Sequence, residues 1–132
     1  MMSRNENTVL AAVTALAMLA GVAGFRSAQA EEAALDGGAL FRHQCAACHS
    51  TMAGDPPRQG PNLAGVYGRK PGTVPGFAYS PGFATATFGW DAPHLDAYLA
   101  DPQSVIPGAI MPYRQKKPEV RQAIIEWLKE QR

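Results

Sequence analysis

Apolar residues recur with a helical period in three parts of this 132-residue chain, most clearly near its C-terminus. There they stand three and four positions apart among charged residues, which predicts one apolar stripe along an amphipathic helix. The stripe consists of Val120, Ala123, Ile124, Trp127 and Leu128. The predicted helix begins at Pro118 and runs to the end of the chain.

Two shorter helices are predicted upstream. The first covers residues 36–47, and its expected core contacts are Leu40 and Phe41. The second covers the stretch DAPHLDAYLADP, in which Asp91 can cap the first turn and Pro93 stands where its missing N–H costs nothing. Pro102 is expected to end this helix. The apolar face of the second helix is formed by Leu95, Tyr98 and Leu99.

The stretch between residues 54 and 93 is expected to be irregular, because fifteen of its forty positions are Gly or Pro. A structureless segment of this length is uncommon inside a compact domain. Three short helices are also too little material to fill a core at this chain length. We therefore expect the irregular segment to pack on a large bound group that is not polypeptide.

The first 30 residues have the pattern of a secretory signal peptide. A polar start with Arg4 is followed by an apolar run over residues 9–25 and by the sequence AQA at residues 28–30. Cleavage is expected after this motif. The alternative is an uncleaved membrane anchor, since the apolar run reaches the lower edge of what spans a bilayer. Both interpretations predict that residues 31–132 are exported.

Residues 31–132 are enough for one small domain. Basic and acidic residues are equal in number within this segment, so it has no electrostatic footprint for nucleic acid or for an anionic membrane. It contains no second apolar stretch long enough to span a membrane and no internal repeat. Composition therefore leaves a single exported domain as the expected unit.

The candidate chemistry lies in the sequence CAACH, where Cys45 and Cys48 are the two cysteines of the chain and His49 follows directly. A disulfide suits an exported protein, but it would close a very short loop and constrain the unfolded chain little. A thioredoxin-like redox pair expects a βαβ setting, which the pattern lacks. A structural zinc site needs four ligands, and no second closely spaced ligand pair is present.

Cys-x-x-Cys-His is the attachment signature of c-type haem, which we favour over those three alternatives. Two thiols one helical turn apart can each add to one vinyl group on the same edge of the porphyrin, and His49 then supplies one axial ligand. Met111 is the strongest candidate for the second ligand, because Pro107, Gly108 and Pro112 stiffen the loop around it. A His/Met pair raises the reduction potential of haem iron and suits electron transfer.

Four stretches of the chain form a specific combination: CAACH, GPNLAGVYGRKPG, PGFAYS and YLADPQSVIPGAIM. Together they resemble the class I cytochromes c, most closely the mitochondrial-type branch and its bacterial periplasmic relatives. The resemblance extends from Leu35 to about Gln131, and the spacing matches without a gap from Cys45 to Met111. It implies an all-α fold of three main helices, with the first and last helices crossing and Gly/Pro-rich loops around one haem.

The resemblance also implies roles for individual residues. His49 and Met111 look like the axial pair, and the carbonyl of Pro61 looks like the acceptor of the free His49 N–H, a bond that would fix the imidazole tautomer. Tyr98 looks like the phenol that approaches the methionine sulfur. Three residues look like the donors that surround the haem propionates: Arg69, Tyr79 and Trp90. Two further residues, Phe41 and Trp127, look like contacts where the terminal helices cross.

Two groups of positions depart from the family pattern. Phe83 stands where the family usually has an asparagine, and Ala109 stands where it has a threonine, so a drier haem crevice is expected. The lysines that ring the exposed haem edge in the mitochondrial proteins are largely absent here. The corresponding positions are Gln44, Arg58, Gln103, Ser104 and Ile110. Electrostatic steering of redox partners should therefore be weak, although Arg114, Lys116 and Lys117 leave some positive charge nearby.

The function implied by the resemblance is that of a periplasmic, monomeric, monohaem electron carrier between redox proteins. It would not be an enzyme, and its haem c would be attached through Cys45 and Cys48. Two other functions stay open from sequence. One is a membrane-tethered subunit of a dehydrogenase or oxidase that retains residues 1–30. The other is a haem enzyme or gas-binding protein in which Met111 is a labile ligand.

Overall fold

The computed structural model describes residues 34–132, so the predicted signal peptide lies outside the described residues. Within that range the chain forms α-helices and one short 3-10 helix and contains no β-strand. The predicted all-α fold class is thereby confirmed. The helices are α1 (Gly37–Gln44), α2 (Ala92–Ala100), α3 (Pro102–Val105) and α4 (Pro118–Lys129), with the 3-10 helix at Pro81–Thr85.

The terminal helices α1 and α4 pack directly against each other. Phe41 on α1 meets Trp127 on α4, with their ring centroids 4.8 Å apart, as the resemblance implies. The α4 stripe lies inward as predicted, but Ile125 is also fully buried although it lies off that stripe. The reason is that α4 packs against both α1 and α2, so its buried surface is wider than one stripe.

Gly37 marks the closest approach of α1 to α4. A Cβ placed on Gly37 would overlap the carbonyl oxygen of Ala123 and would lie 2.7 Å from Trp127 Cβ. A Gly37→Ala variant is therefore expected to lose about 2–3 kcal/mol of unfolding free energy by overpacking the helix contact. Urea unfolding of the holoprotein measures this loss. A matched control is Gly54→Ala, where no atom lies within 4 Å and only the backbone strain of φ +88° remains, about 1 kcal/mol. Equal losses in both variants would contradict the close approach.

The second predicted helix is observed as α2, which ends at Ala100, before Pro102, as expected. Asp91 caps α2 as predicted, accepting a hydrogen bond from the backbone N–H of His94 at 2.9 Å. Pro102, however, does not simply end a helix. It opens the four-residue α3, whose N-terminal cap Asp101 accepts from Gln103 N–H at 3.3 Å. The short helix α3 was not predicted, because proline is as well suited to the first turn of a helix as to the position after one.

The first predicted helix is also shorter than expected, because α1 ends at Gln44 instead of Ala47. The Cys-x-x-Cys stretch continues as turns, in which the N–H groups of Cys48 and His49 both donate to the carbonyl of Cys45, at 3.1 and 3.0 Å. The thiols are thus separated by a single hydrogen-bonded turn that lies outside the regular helix α1. None of the helices described between residues 34 and 132 has the length and apolar character needed to cross a membrane.

The Gly/Pro-rich segment is irregular as expected, apart from the 3-10 helix at residues 81–85, which the sequence did not predict. Backbone hydrogen bonds fasten the segment at intervals. Gly60 N–H donates to Cys48 O at 2.9 Å, and Gly68 N–H donates to Trp90 O at 2.8 Å. Gly65 N–H reaches Gln131 O, beyond the end of α4, at 2.7 Å. The loops therefore have a defined path although they lack repetitive structure.

Candidate functional site

The helices and the irregular segment enclose a largely apolar cavity of about 620 Å³. This volume is typical of pockets that take up cofactors. Its walls come from all parts of the fold: α1, the Cys-x-x-Cys turn, the Gly/Pro-rich loops, α2, the loop before α4, and α4 itself. All nine sequence-predicted site residues line it: Cys45, Cys48, His49, Pro61, Arg69, Tyr79, Trp90, Tyr98 and Met111. The prediction of a large non-polypeptide group among the loops is consistent with this cavity.

The two thiols line the cavity and are not joined in a disulfide. Burial, and secondarily the charge of Cys48, raises the pKa of Cys45 to about 11. The Cys48 thiol lies 3.2 Å from Gln59 Oε1. A catalytic redox thiol needs the opposite shift, a lowered pKa. The site is therefore unlike a thioredoxin-type pair.

His49 is held by one hydrogen bond to the backbone. Its Nδ1 lies 2.8 Å from the carbonyl oxygen of Pro61, which can only accept, so Nδ1 carries the proton and Nε2 is left with a free lone pair. Burial lowers the pKa of His49, an effect that the bond to Pro61 partly offsets. A neutral imidazole with a fixed tautomer is the form in which histidine binds a metal.

Gly60 lets the chain pass against the His49 ring. A Cβ at this position would overlap Cε1 and would stand 2.6 Å from Nδ1 and 2.8 Å from Nε2. Only glycine fits here without displacing the imidazole. The sequence singled out the stretch that begins at this residue but gave no signal for this contact, which depends on how the loop folds back.

Met111 lines the same cavity from the loop between α3 and α4. The neighbouring Ile110 is 81% exposed, so adjacent side chains of this loop differ sharply in exposure. Two residues further on, Tyr113 donates a hydrogen bond to Gln44 Oε1 at the end of α1, over 2.6 Å. The structure thereby brings Met111 and His49, which are 62 positions apart in the sequence, onto one cavity.

Arg69 adds a positive charge to the cavity wall. Its guanidinium donates to the carbonyls of Ala64 at 2.6 Å and Asn62 at 2.9 Å, and within residues 34–132 no carboxylate pairs with it. Arg69 is partly buried, and this burial lowers the pKa of its guanidinium. A partly buried cation without a carboxylate partner fits an anionic group bound in the cavity.

Tyr79 and Trp90 complete this part of the wall. The Tyr79 hydroxyl accepts from Val74 N–H at 3.3 Å, and burial raises the pKa of Tyr79. Trp90 is buried and tied through its backbone N–H to the Arg69 carbonyl at 2.9 Å. Arg69, Tyr79 and Trp90, the three implied propionate donors, therefore line one cavity. Within the protein, the side chains of Arg69 and Tyr79 form their hydrogen bonds with backbone groups.

Tyr98 and Phe83 form an aromatic wall. Their ring centroids are 6.4 Å apart, and Tyr98 lies 4.8 Å from Trp90. Desolvation, with a smaller contribution from Tyr79, raises the pKa of Tyr98 to about 12. Phe83 also packs on Tyr79 at 4.8 Å. The apolar substitution noted in the sequence thus places a phenyl ring between the two tyrosines.

Ser80 is a cavity residue that the sequence did not single out. Its hydroxyl is buried and has no hydrogen-bond partner among the described residues, while the side chain lines the cavity. A buried orphan hydroxyl is costly unless a bound group satisfies it. Its position at the end of the stretch PGFAYS could have marked Ser80 as a site residue. Serine is common in loops, however, so its presence there does not by itself indicate a cavity residue.

The donor set fits a covalent haem better than a metal bound by protein alone. No three His, Cys, Asp or Glu side chains come together as a ligand cluster within the described range. Zinc is therefore not supported by the geometry. A large apolar cavity lined by two thiols, a neutral imidazole, a partly buried cation and an orphan hydroxyl matches a flat apolar cofactor that carries acidic groups.

Comparisons with known proteins agree with this geometry. The sequence profile of the Cytochrome c family matches residues 34–132. Cytochrome c2 iso-2 of Magnetospirillum molischianum is 50% identical over 86 residues, which is 64% of this chain and 88% of the relative. Cytochrome c of Nigella damascena is 38% identical over 109 residues, covering 82% and 97% of the two chains. Cytochrome c of Ulva intestinalis is 41% identical over 95 residues, covering 71% and 86%.

The family match spans all the described residues, and the Cys45–Cys48 spacing is that of covalent haem attachment. The chain therefore belongs to the cytochrome c family, as a class I monohaem member that carries electrons on one covalently bound haem c and is not an enzyme.

Proposed function

We propose that this protein is a periplasmic cytochrome c that passes single electrons between redox proteins, with the haem iron held by His49 and Met111. The observation that carries the proposal is that these two side chains line the same cavity as the two attachment thiols. When bound, haem supplies the one-electron couple of its iron. Ligation by His49 and Met111 would raise the potential of the iron and leave no site for oxygen, which would favour electron transfer over oxygen chemistry.

The protein's own contribution is to fix the ligands and to exclude water. Pro61 holds the tautomer of His49 through the 2.8 Å bond, so that Nε2 is the nitrogen that would hold the iron. Phe83 and Tyr98 place aromatic surface in the cavity wall, which favours the less charged ferrous state by limiting solvent access. Arg69 and Ser80 offer polar contacts to the acidic groups of the haem.

An absorption spectrum of the matured protein in both oxidation states tests the ligand pair. We expect a c-type spectrum and, in the ferric state, the weak far-red band that reports methionine sulfur on iron. A covalent haem without this band, together with ready binding of carbon monoxide by the reduced protein, would contradict Met111 ligation. That result would favour the haem enzyme or gas-binding alternative.

The proposed location rests on the pattern of residues 1–30 and is tested separately. We expect the protein in the periplasmic fraction of a Gram-negative host, with its N-terminus at Glu31. Recovery in the membrane fraction with residues 1–30 intact would instead favour a tethered subunit of a dehydrogenase or oxidase. Sedimentation of the soluble form is expected to give a monomer.

The surface near Met111 predicts weak electrostatic steering. Ile110 is 81% exposed beside the cavity, and Arg114 is paired with Asp101 at 3.0 Å, which reduces the local positive charge. Oxidation of the reduced protein by anionic hexacyanoferrate(III) should therefore slow less than about threefold between low and physiological ionic strength, whereas steered reactions change by about tenfold or more.

A variant with one added charge provides the control for this salt dependence. Ile110→Lys is expected to react faster with hexacyanoferrate(III) at low salt and to lose that advantage as salt is added, because the added charge attracts the anion. A steep salt dependence in the unsubstituted protein, similar to that of the Ile110→Lys variant, would contradict the expected weak electrostatic steering.

A further inference from the structure

The loop that carries Met111 turns sharply just before the methionine. Ile106 closes α3 by donating to Pro102 O at 3.0 Å, and Ala109 N–H donates back to Ile106 O at 3.0 Å. Gly108 lies between them at φ +80°, a left-handed conformation that favours glycine. Ile106 and Ala109 are each only 1% exposed, so the turn is anchored in the core on both sides of Gly108.

One side chain forms hydrogen bonds with two backbone groups of this turn. Gln103, in the short helix α3, accepts a hydrogen bond from Gly108 N–H through Oε1 at 3.0 Å. Its Nε2 donates to the carbonyl of Ala109. A single amide thus bridges two consecutive residues, two and three positions before Met111. Gln103 itself is exposed, but Ala109 is buried, so water has limited access to its carbonyl.

The other side-chain contacts of this loop are weaker or involve residues that follow Met111. Arg114 pairs with Asp101 across α3, but both side chains are about half exposed, and such pairs contribute little. The bond of Tyr113 to Gln44 fixes the chain only after Met111. The Gln103 amide is the side-chain contact that fixes the backbone on the approach to the methionine.

We propose that Gln103 is a positioning residue for Met111: its amide holds the turn at Gly108 and Ala109 and thereby keeps the methionine sulfur directed into the cavity. The inference rests on the proposed role of Met111 as an iron ligand. It gives a specific purpose to a position that was noted in the sequence only as the place of an absent lysine.

Competition by imidazole tests the proposal, because imidazole must displace the methionine sulfur to reach the iron. In a Gln103→Met variant the side chain keeps its length but loses both hydrogen bonds. We expect its ferric form to bind imidazole about tenfold more tightly than the unsubstituted protein, the effect of one lost bond to a buried backbone group. The far-red sulfur band should weaken in parallel. The matched control is Gln122→Met, since Gln122 is an exposed glutamine that bonds Asp96 on a different surface.

A second variant separates positioning from folding. In Gln103→Glu the carboxylate can still accept from Gly108 N–H, but it cannot donate to Ala109 O and repels it. We expect a sulfur band that is weaker at pH 7 and recovers near pH 4.5, as protonation begins to restore a donor. The Gln122→Met control should show no such change.

The outcomes distinguish this inference from the proposed function. A sulfur band in the unsubstituted protein, combined with equal imidazole affinities in Gln103→Met and Gln122→Met, would overturn the role of Gln103 while leaving Met111 ligation intact. Absence of the band in the unsubstituted protein would overturn both. If Gln103→Met does not fold, a sulfur band in Gln103→Glu that is independent of pH would overturn the proposal.

Discussion

Replacing Met111 with alanine is expected to lower the reduction potential by roughly 0.2 V, within the span of about 0.8 V that axial ligands can set. The thioether favours ferrous iron, and its loss would open the cavity to water at that position, which stabilises the more highly charged ferric state. The reduced variant should also bind carbon monoxide, because the position that the sulfur filled becomes available. Redox titration and carbon monoxide difference spectra measure the two effects.

Met52 provides the matched control. It is 69% exposed and does not line the cavity, although it stands only three positions after His49. A Met52→Ala variant should keep the potential, the far-red band and the resistance to carbon monoxide. If Met111→Ala retained these properties, the ligand assignment would be wrong, and their loss in Met52→Ala would point to Met52 instead.

Replacing both thiols, as in a Cys45→Ser and Cys48→Ser double variant, is expected to abolish covalent haem attachment completely. Cys45 and Cys48 are the two cysteines of the chain. No other thiol is therefore available to form a thioether bond. Mass spectrometry under denaturing conditions should show the polypeptide plus one haem for the unsubstituted protein and the polypeptide alone for the double variant. Acidified solvent should extract haem only from the latter.

The single variants refine the test. Cys45→Ser or Cys48→Ser alone leaves one thiol in the cavity lining, and each should retain haem through one bond with a slightly shifted visible spectrum. The double variant should also be markedly less stable, because the apolar walls of the cavity then depend on a group that can dissociate. Covalent haem in the double variant would contradict attachment through these cysteines.

The sequence was most informative where a local spacing carries the physics. The stripe on α4 was visible because a helix that buries one face repeats its apolar residues every three or four positions. The predicted stripe did not include Ile125, which is buried because α4 packs against both α1 and α2. Pro102 follows the end of α2 as predicted, but it also opens α3, which was not predicted because the same residue suits both places.

Three features in or near the site could not be predicted from the spacing of residues along the chain. Gly60 passes against the His49 ring, Ser80 presents an unpartnered hydroxyl, and Gln103 bridges Gly108 and Ala109. Each depends on the path of a loop that has no repeating geometry, so its neighbours in space are not encoded by distance along the chain. The resemblance to a family indicated several cavity residues but not these.

What the sequence by itself determined was the chemistry of attachment and the class of fold. Cys45, Cys48 and His49 are close together along the chain, and the turn that joins them fixes their spacing in space as well. Only the tertiary structure decided how residues as distant as His49 and Met111 come to line one cavity of about 620 Å³. The physical reason is that the Gly/Pro-rich segment between them takes its path from packing and scattered hydrogen bonds, which act across the whole fold.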